Sequence, residues 1–170
     1  MDDAMRKVVE ALRKAIQAEI EGQHFYRMAA RSTEDPRGRE VFEKLALDEV
    51  VHEKFLRAHH DHIVEKGAPS PDAKLPEATA FAESSPIFSD AIRSRIESAH
   101  YEMTALSVGI QLELSAVNFY KQASQQTSDP LLRQQFRELS AWESGHYQAL
   151  LRQQEELKED YWASSNFSPY

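Results

Sequence analysis

Residues 15–63 read AIQAEIEGQHFYRMAARSTEDPRGREVFEKLALDEVVHEKFLRAHHDHI, and residues 109–157 read GIQLELSAVNFYKQASQQTSDPLLRQQFRELSAWESGHYQALLRQQEEL. Laid on one another at an offset of 94, the two stretches need no gap and agree at 15 of 49 positions. Composition alone predicts roughly three agreements, so the chain contains an internal duplication. The shared residues include Ile16/Ile110, Glu19/Glu113, Phe25/Phe119, Tyr26/Tyr120, Asp35/Asp129, Pro36/Pro130, Phe42/Phe136, Glu49/Glu143, His52/His146 and Leu56/Leu150.

Each copy reads as a helical hairpin. A first helix is expected from about Asp3 to Arg31 and a second from Pro36 to about Glu65. The break between them, Ser32-Thr33-Glu34-Asp35-Pro36, supplies Asp35 as N-cap and Pro36 at the first helical position. Thr127-Ser128-Asp129-Pro130 repeats that chemistry between helices expected over 102–126 and 130–160. Together these give an all-α four-helix bundle of two repeated hairpins (about 3–65 and about 102–160), within a single domain spanning 1–170. The connector 66–100 holds four of the seven prolines and is long enough to run the length of the bundle. Ser89 to Ser98 within it is expected to form a short helix, and the aromatic tail 161–170 to dock on the bundle or on a second subunit without being helical.

Composition narrows the functional classes. With 170 residues, 41% of them hydrophobic and 28% charged, the chain can bury one real core. It has no cysteine, which excludes disulfides, thiol nucleophiles, iron–sulfur clusters and thiolate-bound metals. A net charge of −8 argues against nucleic acid as a partner. No run approaches the roughly 18 apolar residues of a membrane span, and the N-terminus reads as an amphipathic helix rather than a secretion signal, so a cytoplasmic location is expected.

The apolar stripes carry the chemistry. Steps of three and four residues place Ile16, Glu19, Gln23 and Tyr26 on the inner face of the first helix, and Leu45, Glu49, His52 and Leu56 on that of the second. The third contributes Ile110, Glu113, Val117 and Tyr120, the fourth Leu139, Glu143, His146 and Leu150. Each stripe is interrupted at its middle by a glutamate, and in two helices a histidine follows one turn later. Glu19 and Glu49 lie fifteen residues either side of Glu34, and Glu113 and Glu143 fifteen either side of Ser128. At about 1.5 Å per residue all four carboxylates meet at mid-bundle.

Four facing buried carboxylates repel one another and resist desolvation. Two divalent cations balance their charge of −4, and two neutral imidazoles complete the donor set. The candidate metal-binding and catalytic residues are therefore Glu19, Glu49, His52, Glu113, Glu143 and His146. Oxygen and nitrogen donors without sulfur suit two iron ions, with manganese or zinc as alternatives. Tyr26 and Tyr120 are candidate supporting donors or core aromatics, and Gln23 and Asp48 are candidate partners of the ligands. The run His59-His60-Asp61-His62 reads as a solvated helix end rather than a second metal site.

At these motifs (Ala-Ile-Gln-Ala-Glu…Phe-Tyr, Glu49-x-x-His52, Ile-Gln-Leu-Glu…Phe-Tyr and Glu143-x-x-His146) the sequence resembles the rubrerythrin branch of the ferritin-like superfamily, in its erythrin-type form without a rubredoxin domain. The resemblance implies a di-iron centre with Glu49 and Glu143 bridging, Glu19 and Glu113 terminal, and one histidine per iron. It further implies reduction of peroxide or dioxygen, an external electron donor and a homodimer. Two departures stand out. The family's additional glutamate, one turn after the third-helix ligand, is here Ala116, mirrored by Gly22 in the first copy, which leaves a symmetric set closer to a bacterioferritin ferroxidase site. There is also no cysteine to hold a rubredoxin iron. The alternative function is thus a ferritin-like ferroxidase for iron binding, storage or detoxification. The residues give no sign of a pocket for an organic substrate.

Overall fold

A computed structural model describes residues 3–76 and 86–164. Its long helices are α1 (Asp3–Ser32), α2 (Pro36–Lys66), α4 (His100–Gln126) and α5 (Pro130–Ser164), with the four-residue α3 (Ala91–Ser94) in the connector. α1 packs along α2 and α4 along α5, and the two hairpins close on each other as a four-helix bundle. No helix among the described residues is long and apolar enough to cross a membrane.

The helix starts follow the expected chemistry. The Asp35 carboxylate accepts from the Gly38 backbone N–H at 2.9 Å, and Asp129 accepts from Leu131 and Leu132 at 2.9 and 3.0 Å. α2 stops at Gly67, whose φ of 76° is the left-handed conformation that glycine adopts without penalty; its N–H reaches the Ile63 carbonyl at 2.8 Å.

Contacts between hairpins set the topology. Tyr26 meets Glu113 while Tyr120 meets Glu19, so α1 and α4 are antiparallel. Asp48 meets His146 while His52 meets Glu143, so α2 and α5 are antiparallel too. α2 and α4 then run the same way, and the connector must return the length of the bundle. Its first part lies at one end, where the Gln135 amide donates to the Ala73 carbonyl at 3.1 Å. Its last part lies at the other, where Ser89 donates from both its N–H and its hydroxyl to Asp35, and the Gln153 amide oxygen accepts from Ile87 and Phe88 at 2.5 and 3.1 Å. Residues 77–85 between these anchors lie outside the described residues.

The helix expected over Ser89–Ser98 is instead two short pieces, α3 and a 3-10 turn at Ile96–Ser98, because the backbone departs from helical geometry at Arg95. Arg95 is held there by Glu34 at 3.0 Å and by buried Glu102 at 2.7 Å. The expectation of a non-helical tail is also corrected: Tyr161–Ser164 continue α5. Tyr161 docks on the bundle through His100, with its hydroxyl 2.7 Å from Nδ1, and that contact gives the last turn a packing partner. Residues 165–170 lie outside the described residues.

Apolar packing is split in two. Tyr26, Phe42, Leu45, Leu106 and Leu150 form one cluster; Leu12, Ile16, Leu56, Tyr120, Phe136 and Leu139 form the other. The duplication is visible in their geometry: Tyr26 stacks on Phe42 at 6.3 Å and 19°, and Tyr120 on Phe136 at 6.2 Å and 19°. Between the clusters lies a buried polar layer.

Candidate metal centre

That layer contains the six ionisable residues singled out above. Glu19, Glu49, His52, Glu113, Glu143 and His146 are all 5% exposed or less. Their donor atoms fall into two groups, each with atoms within 4.8 Å of one another: Glu19, Glu49, His52 and Glu143 in one, Glu49, Glu113, Glu143 and His146 in the other. Glu49 and Glu143 belong to both.

The individual distances resolve the arrangement. Glu143 presents Oε1 to His52 Nδ1 at 2.9 Å and Oε2 to His146 Nδ1 at 3.1 Å, spanning the two histidines. Glu19 Oε2 lies 3.5 Å from His52 Nδ1, and Glu113 Oε2 3.6 Å from His146 Nδ1. The other oxygen of each of these two carboxylates is occupied: Tyr120 donates to Glu19 Oε1 and Tyr26 to Glu113 Oε1. Each tyrosine therefore crosses the hairpin interface to leave one carboxylate oxygen free toward a histidine.

Several of these atoms are close without being well bonded. Glu19 Oε2, Glu143 Oε1 and both ring nitrogens of His52 are buried and make no hydrogen bond of ordinary geometry, although His52 Nδ1 stands near both oxygens. Such orphaned groups cost roughly 1–3 kcal/mol each. Convergent buried oxygens and imidazole nitrogens left unsatisfied are the donor set of a cation site, so the residues fit two divalent metals.

The electrostatics carry the same strain. Burial, reinforced by Glu143 and Glu19, pushes the Glu49 carboxyl well above its usual range, and burial with Glu143 raises Glu113 to about 7. Burial would raise Glu143 as well, but the flanking imidazoles of His52 and His146 hold it low. Burial would lower both histidines, yet Glu143 at His52 and Glu113 at His146 raise them well above the ordinary imidazole value. Burial and the carboxylates beside them push the Tyr26 and Tyr120 hydroxyls up, so both remain proton donors.

Asp48 lies 3.1 Å from His146 Nε2 and fixes that ring from behind. The Gln23 amide donates to Glu53 at 2.8 Å and to the Glu49 backbone carbonyl at 3.4 Å, not to a ligand side chain. Trp142 was missed by the sequence reading. Its ring meets His52 edge-on at 4.8 Å, and its indole N–H points at His146 Nε2 from 3.2 Å. The signal was there, since Trp142 is the partner of Asp48 at the repeat offset of 94.

The His59–His62 run does not behave as a solvated end throughout. His60 pairs with Arg13 and Asp61 and His62 with the Ala68 carbonyl, but His59 is 1% exposed against Phe55, with neither ring nitrogen bonded. Burial holds it down at about 4. Among the described residues no second group of metal-ligating side chains forms there.

A cavity of about 390 Å³ opens between α1 and α4 and reaches Glu19, Glu49 and Glu113. Gly22 lies on its wall beside Glu49: a Cβ there would stand 3.4 Å from Glu49 Cδ, in van der Waals contact. The residues alone gave no sign of this cavity as a pocket for an organic molecule. Small residues on two helices that are not neighbours in the chain make it.

No curated protein and no solved structure matches this chain. The family model for Rubrerythrin matches residues 10–107, more than half of the chain. That span carries Glu19, Glu49 and His52, while Glu113, Glu143 and His146 lie beyond it and join the site through the duplication and the fold. On this match, with the helical bundle and the buried Glu/His layer, the chain belongs to the rubrerythrin family.

Proposed function

We propose that the protein is a di-iron carboxylate oxidoreductase that reduces peroxide or dioxygen with electrons from a separate donor. The observation that carries this reading is the pair of buried donor groups sharing Glu49 and Glu143, with ligand atoms left unsatisfied by the protein. Glu49 and Glu143, common to both groups, would hold the two irons together with Glu19 and His52 on one side and Glu113 and His146 on the other. When bound, two Fe(II) supply the two electrons that peroxide reduction takes as its O–O bond breaks and two protons are consumed.

The protein's own contribution is positioning. Tyr26 and Tyr120 pin one oxygen of each terminal carboxylate, Asp48 orients His146, and the two apolar clusters keep bulk water from the layer on either side. The cavity between α1 and α4 gives an oxidant its way in.

A ferroxidase that oxidises Fe(II) for storage is the second reading, favoured by the symmetric donor set with Ala116 and Gly22 where a further carboxylate could stand. The two separate by experiment. After anaerobic Fe(II) loading and desalting, about two irons per chain are expected, lost in Glu49→Ala and Glu143→Ala. Stopped-flow oxidation faster with peroxide than with dioxygen, in a dimer, supports the oxidoreductase. Faster oxidation by dioxygen in a large assembly supports storage, and little bound iron in the parent removes both.

A further inference from the structure

The cavity between α1 and α4 is larger than a peroxide or dioxygen molecule requires. A water's share of liquid volume is about 30 Å³, so 390 Å³ is an order of magnitude more than a small oxidant occupies. It falls within the range of pockets that bind organic molecules, roughly 300–1,000 Å³. Ala15, Ala18, Leu112, Ala116 and Phe119 supply its walls.

The polar groups at the rim are already committed. Lys14 Nζ is paired with Glu10 at 2.9 Å, the Glu21 carboxylate accepts from Gln17 at 2.9 Å, and the Ser115 hydroxyl donates to the Gln111 carbonyl at 2.7 Å. Each partner lies on the same helix, so these bonds persist whether or not the cavity is filled. Without metal, the inner end, lined by Glu19, Glu49 and Glu113, repels an anion. Only at that inner end can a ligand find polar company.

We propose that this cavity binds a neutral organic molecule of roughly ten non-hydrogen atoms, with an apolar body against the alanine and phenylalanine wall and one hydroxyl or hydroperoxy group directed at the carboxylate layer. The inference rests on the proposed function for its substrate class: an organic hydroperoxide is the member of that class which a peroxide reductase would consume. The binding site itself needs only the cavity.

The test is calorimetric titration of the metal-free protein with 2-phenyl-2-propanol, and with benzoate as a charged comparator of similar size, the alcohol being repeated on the Zn(II)-loaded protein, which cannot turn it over. One alcohol per chain is expected, with benzoate at least tenfold weaker. Ala18→Phe and Ser115→Phe add bulk to the cavity wall from opposite helices, at positions that hold no member of the donor set. Both should weaken the alcohol at least tenfold while zinc stays at two per chain. No saturable alcohol binding, equal binding by benzoate, or unchanged affinity in both filled variants overturns the proposal. A parent protein that fails to hold two zinc ions removes the di-metal reading instead, and the titration of metal-free protein decides the cavity alone.

Discussion

Asp48 and Trp142 occupy equivalent places in the two halves of the duplication, yet both reach the same histidine: Asp48 Oδ2 and Trp142 Nε1 lie 3.1 and 3.2 Å from His146 Nε2. His52 receives no such support. Its Nε2 is unbonded, and its ring packs perpendicular to that of Trp142 at 4.8 Å. A site built from a symmetric donor set is therefore asymmetric behind its ligands. A carboxylate on the far nitrogen of a metal-binding imidazole raises its basicity and fixes its orientation. Zinc titration of the metal-free protein should show two unequal steps. Asp48→Ala should weaken one of them by about 10–100-fold and leave the other nearly unchanged; two equal steps in the parent would count against this.

Tyr26 and Tyr120 each satisfy a buried carboxylate oxygen across the hairpin interface. Tyr26→Phe and Tyr120→Phe keep the ring packing and delete only the donor. Each should cost the metal-free protein about 1–3 kcal/mol in urea unfolding, with similar values for the two because their surroundings are duplicated. A loss in one variant only would show that the two halves are not energetically equivalent.

The pH dependence follows from four groups that bind protons more tightly when folded. In the metal-free protein Glu113 is raised to about 7, and Glu49, His52 and His146 are raised well above their ordinary values. Stability from a raised group is present below its unfolded value and lost as pH rises through its folded value. His59 has the opposite sign, but with a folded value of about 4 it stops titrating in both states above its ordinary 6.5. Glu143, held low, acts only in acid. The melting temperature of metal-free protein should thus fall as pH rises above about 6.5, and two equivalents of Zn(II) should abolish the fall by binding the deprotonated ligands. A flat profile without metal would contradict the burial of these charges.

His59 is buried beside Phe55 with both nitrogens unpaired, and nothing in the described site uses it. His59→Leu should stabilise the protein by about 1–3 kcal/mol, because it replaces an unsatisfied polar ring with an apolar side chain. Chemical denaturation checks this, and a destabilised variant would mean that the imidazole is satisfied by a group outside the described residues.

Gly38 lies under Phe88 where the connector crosses the start of α2. A Cβ at that position would fall 2.3 Å from the Phe88 ring. Gly38→Ala must displace the buried Phe88 ring and should cost about 1–3 kcal/mol as overpacking, despite alanine's better helix propensity. A gain in stability would place Phe88 elsewhere.

Much of this protein was legible in one dimension because its rules are periodic. The 94-residue repeat, the Asp-Pro helix starts and the core stripe through Glu19, Glu49, Glu113 and Glu143 depend on spacing within a helix, which helical geometry converts directly into a face and a depth. That was enough to assign the all-α bundle and to place six ionisable residues at one level. Three-dimensional packing decided what spacing cannot express. Which tyrosine meets which glutamate depends on α1 and α4 being antiparallel. Asp48 joins Trp142 on His146 only because α2 packs along α5, and His59 is buried in a run whose composition marks it as solvated. The cavity belongs to neither helix alone: it is the space left between two faces of small residues. Sequence periodicity determined the donor types and their levels, since these are properties of single helices; the pairing, the asymmetry and the access route are relations between helices, and only the packed bundle determines them.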